Sequence, residues 1–224
     1  MPTKPTTEPP VLDPVVLASG LTVGDRYDLE DDADLEGFAF ADLDLDVLAL
    51  RDASVLGSRF DAVRADEAEL RGVTLTEVVL DRLDVPVLRG VRGRWRDVEV
   101  RGARLGSAEV YESTWDGVHL VGCKLGYVNL RGASLQDVAF TDCTIDELDL
   151  VQARATRVAF AGTRVRRLDV QASTLAHVDL RGADLDDLAG VGSLRGATIG
   201  PEQLARLAGL LADDLGIVVA EGTA

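Results

Sequence analysis

The chain has 224 residues, a formal net charge of −16 and only 4% aromatic residues. This length predicts one domain with tails. The strong negative charge disfavours direct binding to the phosphate backbone of DNA or RNA, and no apolar run is long enough to predict a membrane span.

The first segment, residues 1–24, is rich in proline and threonine and is predicted to be a flexible N-terminal tail. Met1 to Gly20 contains Lys4 and five prolines but no continuous apolar core. A secretory signal is therefore not expected, and the sequence favours a cytoplasmic location.

The next segment is strongly acidic. Between Asp28 and Asp52 there are ten acidic residues against one base, Arg51. Most of these carboxylates are expected to be solvated, but together they form a candidate surface for a protein partner. The candidate acidic partner-binding residues are Asp31, Asp32, Asp34, Asp42, Asp44 and Asp46.

A regular apolar grid then covers most of the chain. Every fifth residue from Leu35 to Leu185 lies on it, and a second apolar lattice lies two residues before each grid position. A strand repeats every two residues and a helix about every 3.6. A period of five therefore predicts a chain that turns once per repeat and winds into stacked coils.

The number of residues in one coil can be read from the second lattice. Small and large residues alternate along it, so the pattern repeats every ten positions. Twenty residues per coil gives the best vertical columns, such as the valines Val78, Val98, Val118, Val138, Val158 and Val178. The same spacing places Cys123 directly beside Cys143. These cysteines come within disulfide range, but buried free thiols are favoured because parallel side chains in a column point alongside each other.

The grid weakens between Leu83 and Val100. Gly90 occupies a leucine position, and Trp95 and Trp115 are oversized for such an interior. Either Gly90 makes room for Trp95 and the register continues, which is the favoured interpretation, or the coil opens into a loop. The candidate local contact region is formed by Arg89, Arg92, Arg94, Trp95 and Trp115.

The C-terminal part, residues 191–224, is predicted to cap the coil. Ala197 to Ile199 forms one more repeat out of phase, and Pro201 begins a helix over about 201–215. Its apolar stripe would cover the open end, where unpaired strand edges otherwise aggregate. The same stripe is a candidate dimerisation element, and its residues are Leu204, Leu207, Leu211 and Leu215.

The repeat unit carries a family resemblance. Ala33-Asp34-Leu35, Ala133-Ser134-Leu135 and Ala183-Asp184-Leu185 fit the A-(D/N)-L-x-x unit of pentapeptide-repeat proteins, and the resemblance covers residues 33–190. It implies an all-β solenoid over residues 25–190: a right-handed quadrilateral β-helix of about eight coils with a C-terminal α-helical cap. This chain resembles the quinolone-resistance members of the family in charge and in its C-terminal helix. Those members occupy the DNA-binding saddle of gyrase and form dimers.

Catalytic signals are weak. His119 and His177 lack partners at metal-ligand spacing, and a filled coil offers no cleft that would shift carboxylate pKa values. No enzyme activity, metal or cofactor is expected. The chain is predicted to be an acidic protein-binding scaffold or adaptor, with a gyrase-binding DNA mimic as the alternative and a homodimer through the C-terminal segment.

The distribution of charge separates these two functions. A DNA mimic needs continuous acidic columns, whereas an adaptor needs a local patch of mixed sign. The acidic residues concentrate in the first coils and the arginines in later ones, including six between Arg89 and Arg104. The twenty-residue coil also predicts columns of alternating sign: Asp44, Arg64, Asp84 and Arg104 in one, and Glu69, Arg89 and Glu109 in another.

Overall fold

Residues twenty apart lie side by side on parallel strands throughout most of the computed structural model, which describes residues 7–220. In this part, the chain forms a β-solenoid of about nine turns followed by one α-helix. The predicted fold class is therefore confirmed. The remaining residues of the predicted tail and cap, 1–6 and 221–224, lie outside the described residues.

Each coil contributes to two sheets. In chain order the strands are β1 (Thr22–Val23), β2 (Asp34–Glu36), β3 (Phe38–Ala41), β4 (Asp44–Ala49), β5 (Ser54–Leu56), β6 (Arg59–Asp61), β7 (Arg64–Glu69), β8 (Thr74–Asp81), β9 (Asp84–Arg89), β10 (Arg94–Arg101), β11 (Arg104–Glu109), β12 (Thr114–Val121), β13 (Lys124–Asn129), β14 (Ser134–Thr141), β15 (Thr144–Asp149), β16 (Arg154–Ala161), β17 (Thr163–Asp169), β18 (Thr174–Asp179), β19 (Ala183–Ala189) and β20 (Ala197–Thr198).

The two sheets enclose one continuous apolar core. A 12-stranded sheet follows the path β1-β3-β6-β8-β10-β12-β14-β16-β18-β20, with β2 and β5 pairing beside this path, and an 8-stranded sheet runs β19-β17-β15-β13-β11-β9-β7-β4. The valine column is confirmed, since each valine from Val78 to Val178 is the register partner of the next.

The corners of the coil explain how a five-residue period can turn regularly. Many corner residues have a positive φ, and among them Asp32, Asp42 and Asp52 have φ values of 60°, 53° and 56°. Glycine adopts this left-handed conformation without strain, and aspartate tolerates it better than most residues. The acidic corners of the first coils are thus part of the turn chemistry as well as of the surface charge.

The two tryptophans lie inside the solenoid. Their rings stack with centroids 4.9 Å apart, and their exposed fractions are 5% for Trp95 and 3% for Trp115. The pairing of β9 and β10 with their neighbours continues through this stretch, so the register is kept and no loop opens. A Cβ built on Gly90 would not have Trp95 among its three nearest contacts. The glycine next to the indole is instead Gly93, because a Cβ built on it would lie 3.1 Å from Trp95 Nε1.

The cysteines are confirmed as buried free thiols. Cys123 Sγ lies 3.4 Å from the carbonyl oxygen of Val100, and Cys143 Sγ lies 3.5 Å from that of Leu120. The neighbouring Cys143 thiol and burial both raise the pKa of Cys123. The pair therefore packs as small apolar side chains within the core.

The ends extend the stack beyond the grid and bring it from the expected eight coils to about nine turns. β1 pairs Thr22 with Phe38, so the rod begins within the predicted tail 1–24. β20 pairs Ala197 with Val178, nineteen residues apart instead of twenty, which confirms the out-of-phase repeat. Both pairings lie outside the five-residue register, which is why the grid alone does not count them.

The helix α1 spans Pro201–Asp214 and packs on the end of the rod chiefly through Gln203 and Leu207. Gln203 Nε2 donates to the carbonyl oxygens of Leu180 at 2.6 Å and Ala183 at 2.8 Å. Its Oε1 accepts from the backbone N–H of Gly200 at 2.8 Å. The polar Gln203 side chain, which the apolar stripe does not predict, thus satisfies the carbonyls at the open end of the coil.

Candidate interaction surfaces

The six candidate acidic residues surround one end of the rod instead of forming a row along it. Asp34 lies on β2 of the 12-stranded sheet, whereas Asp44 and Asp46 lie on β4 of the 8-stranded sheet. Asp32 and Asp42 occupy corners between strands. All are exposed except Asp31, which is half-buried. The carboxylates therefore point away from the rod on several sides.

Asp31 is engaged by a base of the next coil. Arg51 Nε donates to Asp31 Oδ2 at 2.9 Å, and the backbone N–H of Arg51 donates to Oδ1 at 3.0 Å. These hydrogen bonds lower the pKa of the Asp31 carboxyl. This residue is therefore less available to a partner than the other five.

A column of charged side chains runs along the 8-stranded sheet and is called here the charged column. It consists of Asp44, Arg64, Asp84, Arg104 and Lys124, each the register partner of the next. Among the described residues, none of these five side chains makes an ion pair within 4.0 Å. The predicted alternation of sign is present without ion pairing, with Asp84 half-buried and the other four side chains exposed.

The charged column borders a cleft of about 540 Å³. Asp42 and Arg82 line it together with the first four residues of the column. A second groove of about 670 Å³ continues past Arg104 and Lys124. Its floor includes backbone without side chains at Gly106 and Gly126. A Cβ built on Gly106 would lie 2.6 Å from the carbonyl oxygen of Pro86, and one built on Gly126 would lie 2.2 Å from that of Gly106.

The end of this column has one unfavourable feature. The register places Arg104 directly beside Lys124, and like charges opposite each other on neighbouring strands are destabilising. Asp84 borders Arg104 on its other side. The column therefore presents alternating charge over its first four residues and a positive pair at its end.

Many of the remaining arginines, by contrast, are neutralised across the coils. Arg89 Nη1 lies 2.8 Å from Glu69 Oε1, as the second predicted column requires, and Arg89 also contacts Glu67. Glu109 instead accepts from Asn129 Nδ2 at 2.7 Å. In the later arginine cluster the pairs are Arg157 with Asp137, Arg164 with Asp186, Arg166 with Asp146 and Arg167 with Glu147.

The structure does not bring the predicted contact region together. Trp95 and Trp115 are inside the rod, Arg89 lies on β9 of the 8-stranded sheet, and Arg94 lies on β10 of the 12-stranded sheet. Arg92 Nε is 2.8 Å from Glu112 Oε2. The indoles are therefore not surface contact residues, because the core uses them to fill its volume.

Two leucines of the predicted apolar stripe of α1 pack on the rod, and the other two are exposed. Leu207 is buried and Leu211 half-buried, whereas Leu204 is 51% exposed and Leu215 is 72% exposed. Ile217 and Val218, which follow the helix, are also exposed. Leu207 and Leu211 thus contribute to the cap, and the other two leucines leave an apolar surface at the end of the rod.

The two histidines lie on different strands, His119 on β12 and His177 on β18. His119 Nε2 lies 2.9 Å from Thr141 Oγ1, and burial lowers the pKa of His119. Residues 7–220 contain no cluster of three or more His, Cys, Asp or Glu side chains suited to a metal ion. In the same range, no helix is both long and apolar enough to span a membrane.

Part of the chain matches a known protein family. The family model described as "Pentapeptide repeat region" matches residues 113–189. No curated protein matches the chain. Several solved structures are also similar to this chain.

The first is HetL, a pentapeptide repeat protein involved in heterocyst differentiation regulation from the cyanobacterium Nostoc sp. strain PCC 7120. It is 17% identical, and the match covers 75% of this chain and 90% of that one with a TM-score of 0.35. The second, trypsin-treated QnrB1, is a plasmid-mediated fluoroquinolone resistance protein. It is 16% identical over 89% of this chain and 95% of that one, with a TM-score of 0.32.

Proposed function

We propose that this chain acts in the cytoplasm as a non-enzymatic protein-binding scaffold. Its residues 113–189 match the pentapeptide repeat family. The partner binds along the charged column on the 8-stranded sheet. The solenoid itself supplies a rigid surface, because its interior is filled with apolar side chains. One void among its central core residues measures only about 20 Å³, too small for a substrate.

The observation that supports this proposal is the unpaired alternation of Asp44, Arg64, Asp84 and Arg104 beside a cleft of about 540 Å³. Exposed charges of both signs give specificity, because only a partner with the complementary order of charges avoids like-charge contacts. Most other arginines are already paired within the rod, so they have less to offer a partner.

A DNA mimic that binds gyrase is the second candidate, and the net charge of −16 favours it. Duplex DNA carries one negative charge per about 1.7 Å of helix axis, so a mimic needs acidic residues at the same position on successive coils. Here Asp44 is followed by Arg64 and Asp31 by Arg51 in the next coil. These interruptions support the scaffold over the mimic.

The proposal includes self-association through the C-terminal segment. Leu204 and Leu215 of the predicted stripe remain exposed, together with Ile217 and Val218. Apolar surface of this kind at a rod end is suited to burial against a second copy of the same segment. A homodimer would then present two charged columns to its partners.

Capture of partners with charge-reversed rods tests the scaffold. Immobilised protein is incubated with a lysate of its source organism, and the captured proteins are quantified by mass spectrometry. The double variant Arg64→Glu/Arg104→Glu should lose about tenfold or more of a specific partner, since each reversal places like charges at the interface. Arg94→Glu, the same change on the 12-stranded sheet, should retain it. Equal capture by the parent and the double variant would refute binding at the charged column.

A further inference from the structure

The N-terminal segment lies along the outside of the rod. Residues 7–17, called here the strap, form neither helix nor strand. The backbone N–H of Val11 donates to Asp137 Oδ1 at 2.9 Å, and that of Glu8 donates to His177 Nδ1 at 3.2 Å. The Thr7 and Thr198 hydroxyls also contact each other. These three contacts lie progressively nearer the C-terminal end of the rod, so the strap runs against the direction in which the coils are stacked.

The spacing of these contacts shows that this part of the strap is extended. Asp137 and His177 occupy the same corner two coils apart, a separation of about 9.6 Å at the usual spacing of neighbouring strands. The strap covers this distance between Val11 and Glu8, which is about 3.2 Å per residue and close to the rise of a polyproline II helix. Pro9 and Pro10 lie within this span and favour that conformation.

The rod face beneath the strap has both apolar and polar features. Ala139, two residues after Asp137, points outward from β14, yet only 9% of it is exposed. Asp137 is held in place by Arg157, whose Nε donates to its Oδ1 at 2.6 Å and whose Nη2 donates to its Oδ2. This pairing lowers the pKa of Asp137. A fixed carboxylate is thus ready to accept a backbone N–H, as it does from Val11.

The strap is nevertheless packed loosely. A cavity of about 270 Å³ remains between Leu12–Val15 of the strap and the rod residues Glu99 and His119. Val11 and Val16 are 66% and 80% exposed. Segments with few buried contacts open at low free-energy cost, so the strap is suited to reversible release.

We infer that the rod face beneath the strap is a binding groove for an extended, proline-containing peptide, and that the strap occupies it as an internal ligand. A partner binds by displacing the strap with a peptide of the same chemistry: aliphatic side chains toward the rod and backbone N–H groups toward Asp137 and His177. This inference rests on the proposed scaffold function but concerns the 12-stranded sheet, away from the charged column.

A cleavable strap tests this inference in the full chain. A recognition site for a sequence-specific protease is inserted between Ser19 and Gly20, which are exposed. After cleavage the released peptide is removed, and a fluorescent peptide of residues 7–17 is titrated back while its anisotropy is followed. We expect binding to the cut rod and at least about tenfold weaker binding to the uncut chain, because a tethered strap competes at a high effective concentration.

Two peptide variants identify the contact. Val11→Pro keeps an extended backbone but removes the N–H that Asp137 accepts, so it should weaken binding about threefold to tenfold, the value of one hydrogen bond. Val16→Pro, at an exposed position, should bind like the parent peptide. The inference is overturned if the parent peptide does not bind the cut rod, if cut and uncut chains bind it equally, or if Val11→Pro has no effect.

Loss of the cooperative melting transition on cleavage would also overturn the inference, since the strap would then be part of the stable fold. Failure here is distinguishable from failure of the scaffold proposal. The capture experiment with Arg64→Glu/Arg104→Glu addresses a different sheet and uses the uncut chain.

Discussion

Leu130→Asp should abolish the folded rod. Leu130 lies on the five-residue grid and is 0% exposed. An isolated buried carboxylate costs far more than the total stability of a typical domain, which is about 5–15 kcal/mol. Even as a neutral acid, the side chain would leave polar atoms without partners in the core. Thermal unfolding followed by circular dichroism should show no cooperative transition, or one at a much lower temperature.

Gln152→Asp is the matched control for this prediction. It introduces the same carboxylate at an exposed corner with a φ of 59°, where aspartate occurs naturally in other coils, as at Asp32 and Asp52. Its melting temperature should remain within a few degrees of the parent. If Leu130→Asp melted like this control, the inward assignment of the grid would be contradicted.

Gly93→Val should destabilise the rod because of the indole next to it. A Cβ at this position lies 3.1 Å from Trp95 Nε1 and 3.3 Å from the carbonyl oxygens of Gly90 and Val73. The two further methyl groups of valine would enter the space that Trp95 fills. Overpacking of a core costs about 1–3 kcal/mol, which urea unfolding can measure.

A double-mutant cycle tests whether the small volume of Gly93 compensates for the large volume of Trp95. Trp95→Leu alone leaves a cavity and is destabilising. The combination Gly93→Val/Trp95→Leu recreates the arrangement of the preceding coil, which has Val73 and Leu75 at the same positions. Its loss of stability should be smaller than the sum of the two single losses by about 1 kcal/mol or more. Strict additivity would contradict the volume exchange.

The repeat made the interior predictable from the sequence. A period of five leaves one consistent choice of inward residues, and twenty residues per coil then places Val78 beside Val98 and Trp95 beside Trp115, as observed. The ends were less predictable because β1 and β20 join the sheet outside this period. Gln203 was not predicted either, because an apolar stripe does not reveal that one polar side chain satisfies the last carbonyls.

The outer surface was predictable in register but not in contacts. The sequence places Asp44 beside Arg64 and Glu69 beside Arg89, yet only the second pair forms an ion pair. Long exposed side chains have many rotamers, so adjacency alone does not fix their partners. Residues 7–17 have the composition of a flexible segment, and their backbone contacts with Asp137 and His177 leave no sequence pattern.

The central functional claim is that this acidic rod is a scaffold with a mixed-charge surface and not a substitute for DNA. Its most direct test is a gyrase supercoiling assay with purified protein titrated into the micromolar range, with and without a fluoroquinolone. The scaffold predicts no change in supercoiling at any concentration. Inhibition that salt relieves, and that Asp42→Arg/Asp44→Arg/Asp46→Arg abolishes, would contradict the scaffold and identify a DNA mimic.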